Sequence, residues 1–164
     1  MDFDKTAAQN SLHFWEGHRH LDRRAEAGKG IDCIHLVLEA LISSGAITRD
    51  RLPTYSIKWG LMTPENLMAE GLTRLWHAER IQDTSTVQWG DIVIWKAGTQ
   101  SNHCGFVAHP SQAGATDLAV WHVMKGGKVH SSPLGPVLRR CQELVRLVKP
   151  GWQCNPAELN LATL

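Results

Sequence analysis

Four cysteines (Cys33, Cys104, Cys141 and Cys154) and nine histidines carry the nucleophilic and proton-transfer chemistry available to this chain. A cysteine acts as a nucleophile when a base lies within hydrogen-bond reach and a third group orients that base. Cys33 has the best setting for this. It follows Asp32, a good N-cap residue, and Ile34, Val37, Leu38 and Leu41 then recur on one helical face. Cys33 thus falls at the first position of a helix over 32–43, closed by Ser43, Ser44 and Gly45. Unpaired N–H groups and the positive end of the helix dipole favour a thiolate there. The plain alternative is a small core residue, since free cysteine is among the most buried types.

Two histidines stand where a base and an orienting group would be needed. In Ala119-Val120-Trp121-His122-Val123, strand alternation puts His122 on the face of Val120 and opposite Trp121. His103 shares a face with Gly105 and Val107, and Gly105 leaves room beside it. If the two strands pair in register, both imidazoles can point at the start of the Cys33 helix. The sequence alone leaves that register open, and leaves His103 open to a structural role. His103, Cys104, His109, His122 and His130 cluster in sequence and raise a metal site as an alternative. Adjacent His103 and Cys104 point to opposite faces of a strand, and no helical zinc signature is present, so no metal and no cofactor is expected. Cys141 and Cys154 read as structural.

The elements that must hold these residues fall in two blocks. A short helix is expected over 6–15, with Ala7, Leu12, Phe14 and Trp15 partly buried, then an exposed basic loop over 16–29. After the Cys33 helix, a connector from Ala46 to Leu61 leads to Thr63-Pro64-Glu65, a helix start. Leu67, Met68, Leu72, Leu75, Trp76 and Glu79 place one face on a second helix ending near Arg80, with His77 towards its polar side. From Gln82 the character changes to short strands: one ending Ile92-Val93-Ile94-Trp95, then 103–108, 118–124, 128–131 after a Gly126-Gly127 turn, and 144–148. Pro133, Gly135 and Pro136 break the chain before the last strand, and 151–164 reads as a C-terminal tail. Helices followed by antiparallel strands predict an α+β fold, N-terminal helices packed on one face of a small sheet.

A length of 164 residues suits one domain spanning the whole chain. Lys and Arg (17) nearly balance Asp and Glu (16), which leaves no field to hold nucleic acid or an anionic membrane surface. No apolar run reaches bilayer length, and the first thirty residues lack the apolar core of a signal peptide, so cytoplasmic synthesis without membrane insertion is expected.

Three segments in order resemble the NlpC family of papain-like cysteine peptidases, which cut bacterial cell-wall peptides. Gly30-Ile31-Asp32-Cys33-Ile34-His35-Leu36-Val37 is similar to the family's nucleophile motif. Trp89-Gly90-Asp91-Ile92-Val93-Ile94-Trp95 followed by His103-Cys104-Gly105-Phe106-Val107 is similar to its Gly-Asp strand and the strand carrying the base. Val120-Trp121-His122-Val123 with Gly126-Gly127-Lys128-Val129 is similar to the strand of the third polar residue. The match covers about residues 12–148. It implies Cys33 as nucleophile, His103 as base and His122 as orienting residue. His13 and Trp15 occupy the stretch where the family has an oxyanion- or substrate-binding tyrosine. They are expected on the substrate side with Asp32 and His35, where Ile34-His35 replaces the family's Ser-Gly. The resemblance implies a stem-peptide endopeptidase cutting a D-Glu–diamino-acid bond through a thioester, with peptidoglycan peptides as partners. Its rivals are a non-enzymatic phage-tail or assembly component of the same fold, and a papain-like amidase or acyltransferase. Delivery by a phage particle, lysis or a secretion machine, or trimming of recycled peptides inside the cell, would each bring enzyme and substrate together.

Overall fold

The structure is a computed structural model and describes residues 3–22, 24–49, 67–96, 102–112, 114 and 116–152. Helix α1 runs Lys5–Trp15, capped by the Asp4 carboxylate, which accepts the Ala7 N–H at 2.8 Å. Ala8, Leu12 and Trp15 are buried at the spacing of one helical stripe. Phe14 falls off that stripe and, against expectation, is 57% exposed. Helix α2, Cys33–Ser43, is apolar nearly all round and accordingly buried. Its one acidic residue, Glu39, is buried and held by two 2.7 Å bonds from the Arg49 guanidinium.

The stretch expected as an exposed loop before α2 contains a small two-stranded sheet, β1 (Ala25–Glu26) and β2 (Gly30–Ile31). The Ile31 N–H donates to the Arg19 carbonyl and the Leu21 N–H to the Ile31 carbonyl. A Cβ on Gly30 would collide with the Arg19 carbonyl oxygen, so only glycine lets 19–21 lie this close to β2. The backbone entering Asp32 and Cys33 is therefore fixed from outside.

The second helix ends earlier than expected. Helix α3 is Leu67–Leu75, and the chain turns at once into strand β3, Trp76–Ile81. The Thr63-Pro64 start and most of the connector before it lie outside the described residues. A helical reading put Trp76 and Glu79 on one face; as a strand, Trp76 and Ala78 join the core on the helix side and Ile81 packs on the other. Pairing with a long partner strand overrides the helical pattern, and His77 lies on β3.

That partner is β8, Cys141–Trp152, expected only over 144–148; the segment read as the start of the tail is strand to Trp152, and 153–164 lie outside the described residues. With β4 (Ile92–Lys96), β5 (Asn102–Ala108), β6 (Ala119–His122) and β7 (His130–Pro133), it forms a six-stranded antiparallel sheet of order β3-β8-β4-β5-β6-β7. Helix α1 packs on α2, and α2 on β5. Ile92, Ile94, Cys104, Phe106, Trp121, Val145 and Leu147 carry the core on this side. The fold is α+β, but the helices are not confined to one face. Val93, Trp95, Val107, Val120 and Leu144 make the other face apolar too, and α4 (Leu134–Leu138), formed where the prolines were read as a plain break, covers it with Val137. Among the described residues no helix is long and apolar enough to cross a membrane.

Candidate active site

Asp32 caps α2 as its position in sequence predicts: the carboxylate accepts the His35 N–H at 2.8 Å, and the His35 ring turns back to put Nδ1 3.1 Å from the same oxygen. Cys33 is thereby set on the first turn of the helix, half-buried, among backbone N–H groups that have no partner within α2.

Strands β5 and β6 pair antiparallel with Phe106 opposite Trp121 and Val107 opposite Val120. Continued by one residue, that register sets Gly105 against His122, and a Cβ at Gly105 would crowd Val120, the Trp121 carbonyl and the His122 Cβ. The missing side chain is what admits His122 beside His103: His103 Nε2 and His122 Nδ1 lie 3.1 Å apart. His122 Nε2 in turn lies 2.8 Å from Ser132 Oγ on β7. Trp95 meets both rings edge-on, at 4.6 Å from His103 and 5.3 Å from His122 between centroids. Both histidines are buried. Burial first, then the nearby His103 and His130, pushes His122 down to about 3, so it is neutral across the physiological range.

The Cys33 thiol is held well below its ordinary range. The largest cause is a hydrogen bond with the Cys104 thiol; the charge and hydrogen bond of His103 add to it, against burial and the Asp32 carboxylate. Cys104, fully inside, is pushed up correspondingly. The two thiols can carry one negative charge between them. It settles on Cys33 because His103 and the helix start act there, with the Cys104 S–H donating to it. Alternation along β5 puts His103 and Cys104 on opposite faces, yet each favours the Cys33 thiolate, and α2 packs on that strand. Replacing Cys104 with alanine is expected to raise the pH at which Cys33 alkylates, and serine, which keeps a donor, to raise it less. The rate of iodoacetamide labelling against pH reads this directly.

Of the other residues expected on the substrate side, Trp15 lies in the core and His13 on the surface of α1. Trp15 is 5% exposed and part of the core, edge-on to His18. His13 is exposed on α1, its ring 5.4 Å from Trp121 and its Nε2 3.1 Å from the Gln9 amide. Trp121 faces away from His122, so His13 is set on the helix side of β6. Three contributors escaped the sequence reading: Trp95, Cys104 and Ser132. Trp95 had a signal, the same strand face as Val93 on the strand that precedes that of His103 in sequence. Cys104 had one too, as a thiol on the strand face towards α2. Ser132 had none, because its place depends on the β6–β7 register.

A helix opening on a cysteine, laid on an antiparallel sheet that presents a buried pair of histidines, defines a papain-like fold with a thiol site. No protein-family model matches the chain, and no curated protein matches it. Solved structures do. The NlpC/p60 domain of the peptidoglycan hydrolase SagA superposes with a TM-score of 0.51 at 12% identity, over 88% of this chain and 99% of that one. A lipoprotein-like NLP/P60 family protein from Staphylococcus aureus superposes with a TM-score of 0.53 at 14% identity, over 90% of this chain and 43% of that one. At these identities the likeness is one of fold, and the fold is NlpC/p60.

Proposed function

We propose that the protein is a cysteine hydrolase that cuts the peptide stems of bacterial peptidoglycan. The observation that carries this is the buried His103–His122 pair, 3.1 Å apart, with a Cys33 thiol at the start of α2 that His103 helps to hold low, on a fold shared with a peptidoglycan hydrolase. His103 takes the thiol proton, and the Cys33 thiolate attacks the carbonyl carbon of the scissile amide. Backbone N–H groups in the first turn of α2 stabilise the oxyanion. As the C–N bond breaks, His103 returns its proton to the leaving amine and a thioester remains on Cys33. Water, deprotonated by His103, attacks the thioester, releasing the new carboxylate and restoring the thiol. The D-Glu–diamino-acid bond is the substrate bond we assign. His35 folds onto Asp32, which keeps its ring near the cap despite standing where the family has glycine.

The test is mass analysis of purified stem peptides incubated with the wild-type protein and with Cys33→Ala. Wild-type protein is expected to split the stem between D-Glu and the diamino acid, and Cys33→Ala to leave it intact. Equal cleavage by both would remove Cys33 from the mechanism. An intact stem after incubation with wild-type protein whose thiol alkylates at low pH would remove the wall substrate.

A further inference from the structure

We propose that Ser132 is a positioning residue: its hydroxyl gives His122 an acceptor for an Nε2 proton, and so lets His103 become the base that Cys33 needs. This rests on the hydrolase reading above. His122 touches His103 through Nδ1 at 3.1 Å and Ser132 Oγ through Nε2 at 2.8 Å. Being neutral, it has one N–H to place and two tautomers to choose between.

The choice decides what His103 can do. With the proton on Nε2, His122 donates to Ser132 and its Nδ1 lone pair accepts the His103 Nε2–H. Neutral His103 then has a bare Nδ1, the nitrogen left for the thiol. After it takes the Cys33 proton, both of its N–H groups are paired, one with His122 and one with the thiolate. With the proton on Nδ1, His122 donates to His103 Nε2 instead. Neutral His103 must then keep its proton on Nδ1, meets the thiol with an N–H, and is no base. Were it protonated anyway, two N–H groups would face each other.

A hydroxyl can serve either tautomer by rotating, so the thiolate–imidazolium state is reached without loss. Alanine at 132 cannot. It leaves a buried N–H unpaired in the state that catalysis requires, and only a bare lone pair in the state that blocks it. An unpaired donor of this kind disfavours the tautomer that carries it. Ser132 lies on β7 opposite Val120 and on the same strand face as His130, whose ring lies tilted 4.4 Å from that of His122. The titratable groups around the relay are Asp32 and His35 from α2, Cys104 from β5 and His130 from β7, and Ser132→Ala leaves all of them in place.

The experiment compares wild-type protein, Ser132→Ala and Ser132→Thr by the pH profile of Cys33 alkylation, with thermal melts to verify folding and ring ¹⁵N NMR of His122. The expected result is a rate near pH 6 about tenfold lower for Ser132→Ala, a shift of His122 towards the Nδ1-protonated tautomer, and recovery of both by threonine, which keeps the hydroxyl. A folded Ser132→Ala protein with the wild-type profile and tautomer overturns the proposal and leaves the hydrolase reading standing. A wild-type Cys33 that ionises like a free thiol overturns both.

Discussion

His103→Ala is expected to lower stem-peptide cleavage by about 10³-fold or more while the protein stays folded. In the proposed mechanism His103 enters every chemical step: it accepts the thiol proton, protonates the leaving amine and deprotonates the hydrolytic water. Loss of the ring also removes the positive charge and hydrogen bond that, after Cys104, lower the Cys33 thiol. The thiolate is then a smaller fraction at a given pH, so the alkylation profile moves up as well. Two readouts separate these effects. Alkylation reports ionisation alone, and it should fall far less than cleavage does, because Cys104 and the helix start still favour the thiolate. Cleavage that tracked alkylation would mean His103 acts only on the thiol and transfers no proton to the leaving group. Replacement by glutamine is expected to keep ring-sized packing against Trp95 and still lose the activity.

Asp91→Ala should cost about 3–5 kcal/mol of stability, the range for breaking one side of a buried pair. Asp91 is fully buried just ahead of β4. One oxygen accepts Arg146 Nε at 2.7 Å; the other accepts Arg146 Nη2 and the Gln88 N–H, each at 2.8 Å. Arg146 Nη2 also donates to the Thr86 carbonyl, so one guanidinium ties β8 to the 3₁₀ turn over Thr84–Thr86 and to the entry of β4. Alanine strands the guanidinium and the Gln88 N–H. Against total stabilities of about 5–15 kcal/mol, that loss populates the unfolded state visibly. Urea denaturation checks it, and the double variant Asp91→Ala/Arg146→Met sharpens it. Removing both charges should recover part of the loss, because an apolar pair has no desolvation cost to offset. The Arg146 side chain is 20% exposed, so it can turn partly to water in the single variant, which places the loss towards the low end of the range.

The local chemistry of the site was legible in the sequence wherever a single segment sets it. Asp32 as cap, Cys33 on the first helical turn and His122 on the face of Val120 each follow from neighbours a few residues away. What depends on pairing was not. The 3.1 Å approach of His103 and His122 needs the β5–β6 register, and Ser132 enters only through β7. Trp76 to Arg80 misled because an amphipathic helical spacing and a strand alternation can share the same apolar residues; the partner strand decides, and it lies some seventy residues later. The cover of the second sheet face was hidden for the opposite reason, since Pro133 and Pro136 signal a break but also start a short helix well.

Strand β8 is last in sequence among the described elements yet lies inside the sheet, between β3 and β4. The meander β4–β5–β6–β7, which carries the histidine pair, needs only contacts close in sequence and can form early. Until β8 arrives, β4 presents a bare edge of Ile92, Val93 and Ile94, a template for pairing with other chains. As the ribosome delivers the chain, the half that bears the histidines is complete before the strand that shields it. Closure of the sheet is therefore a late, long-range step, and a nascent chain stopped short of Cys141 is the form most exposed to aggregation.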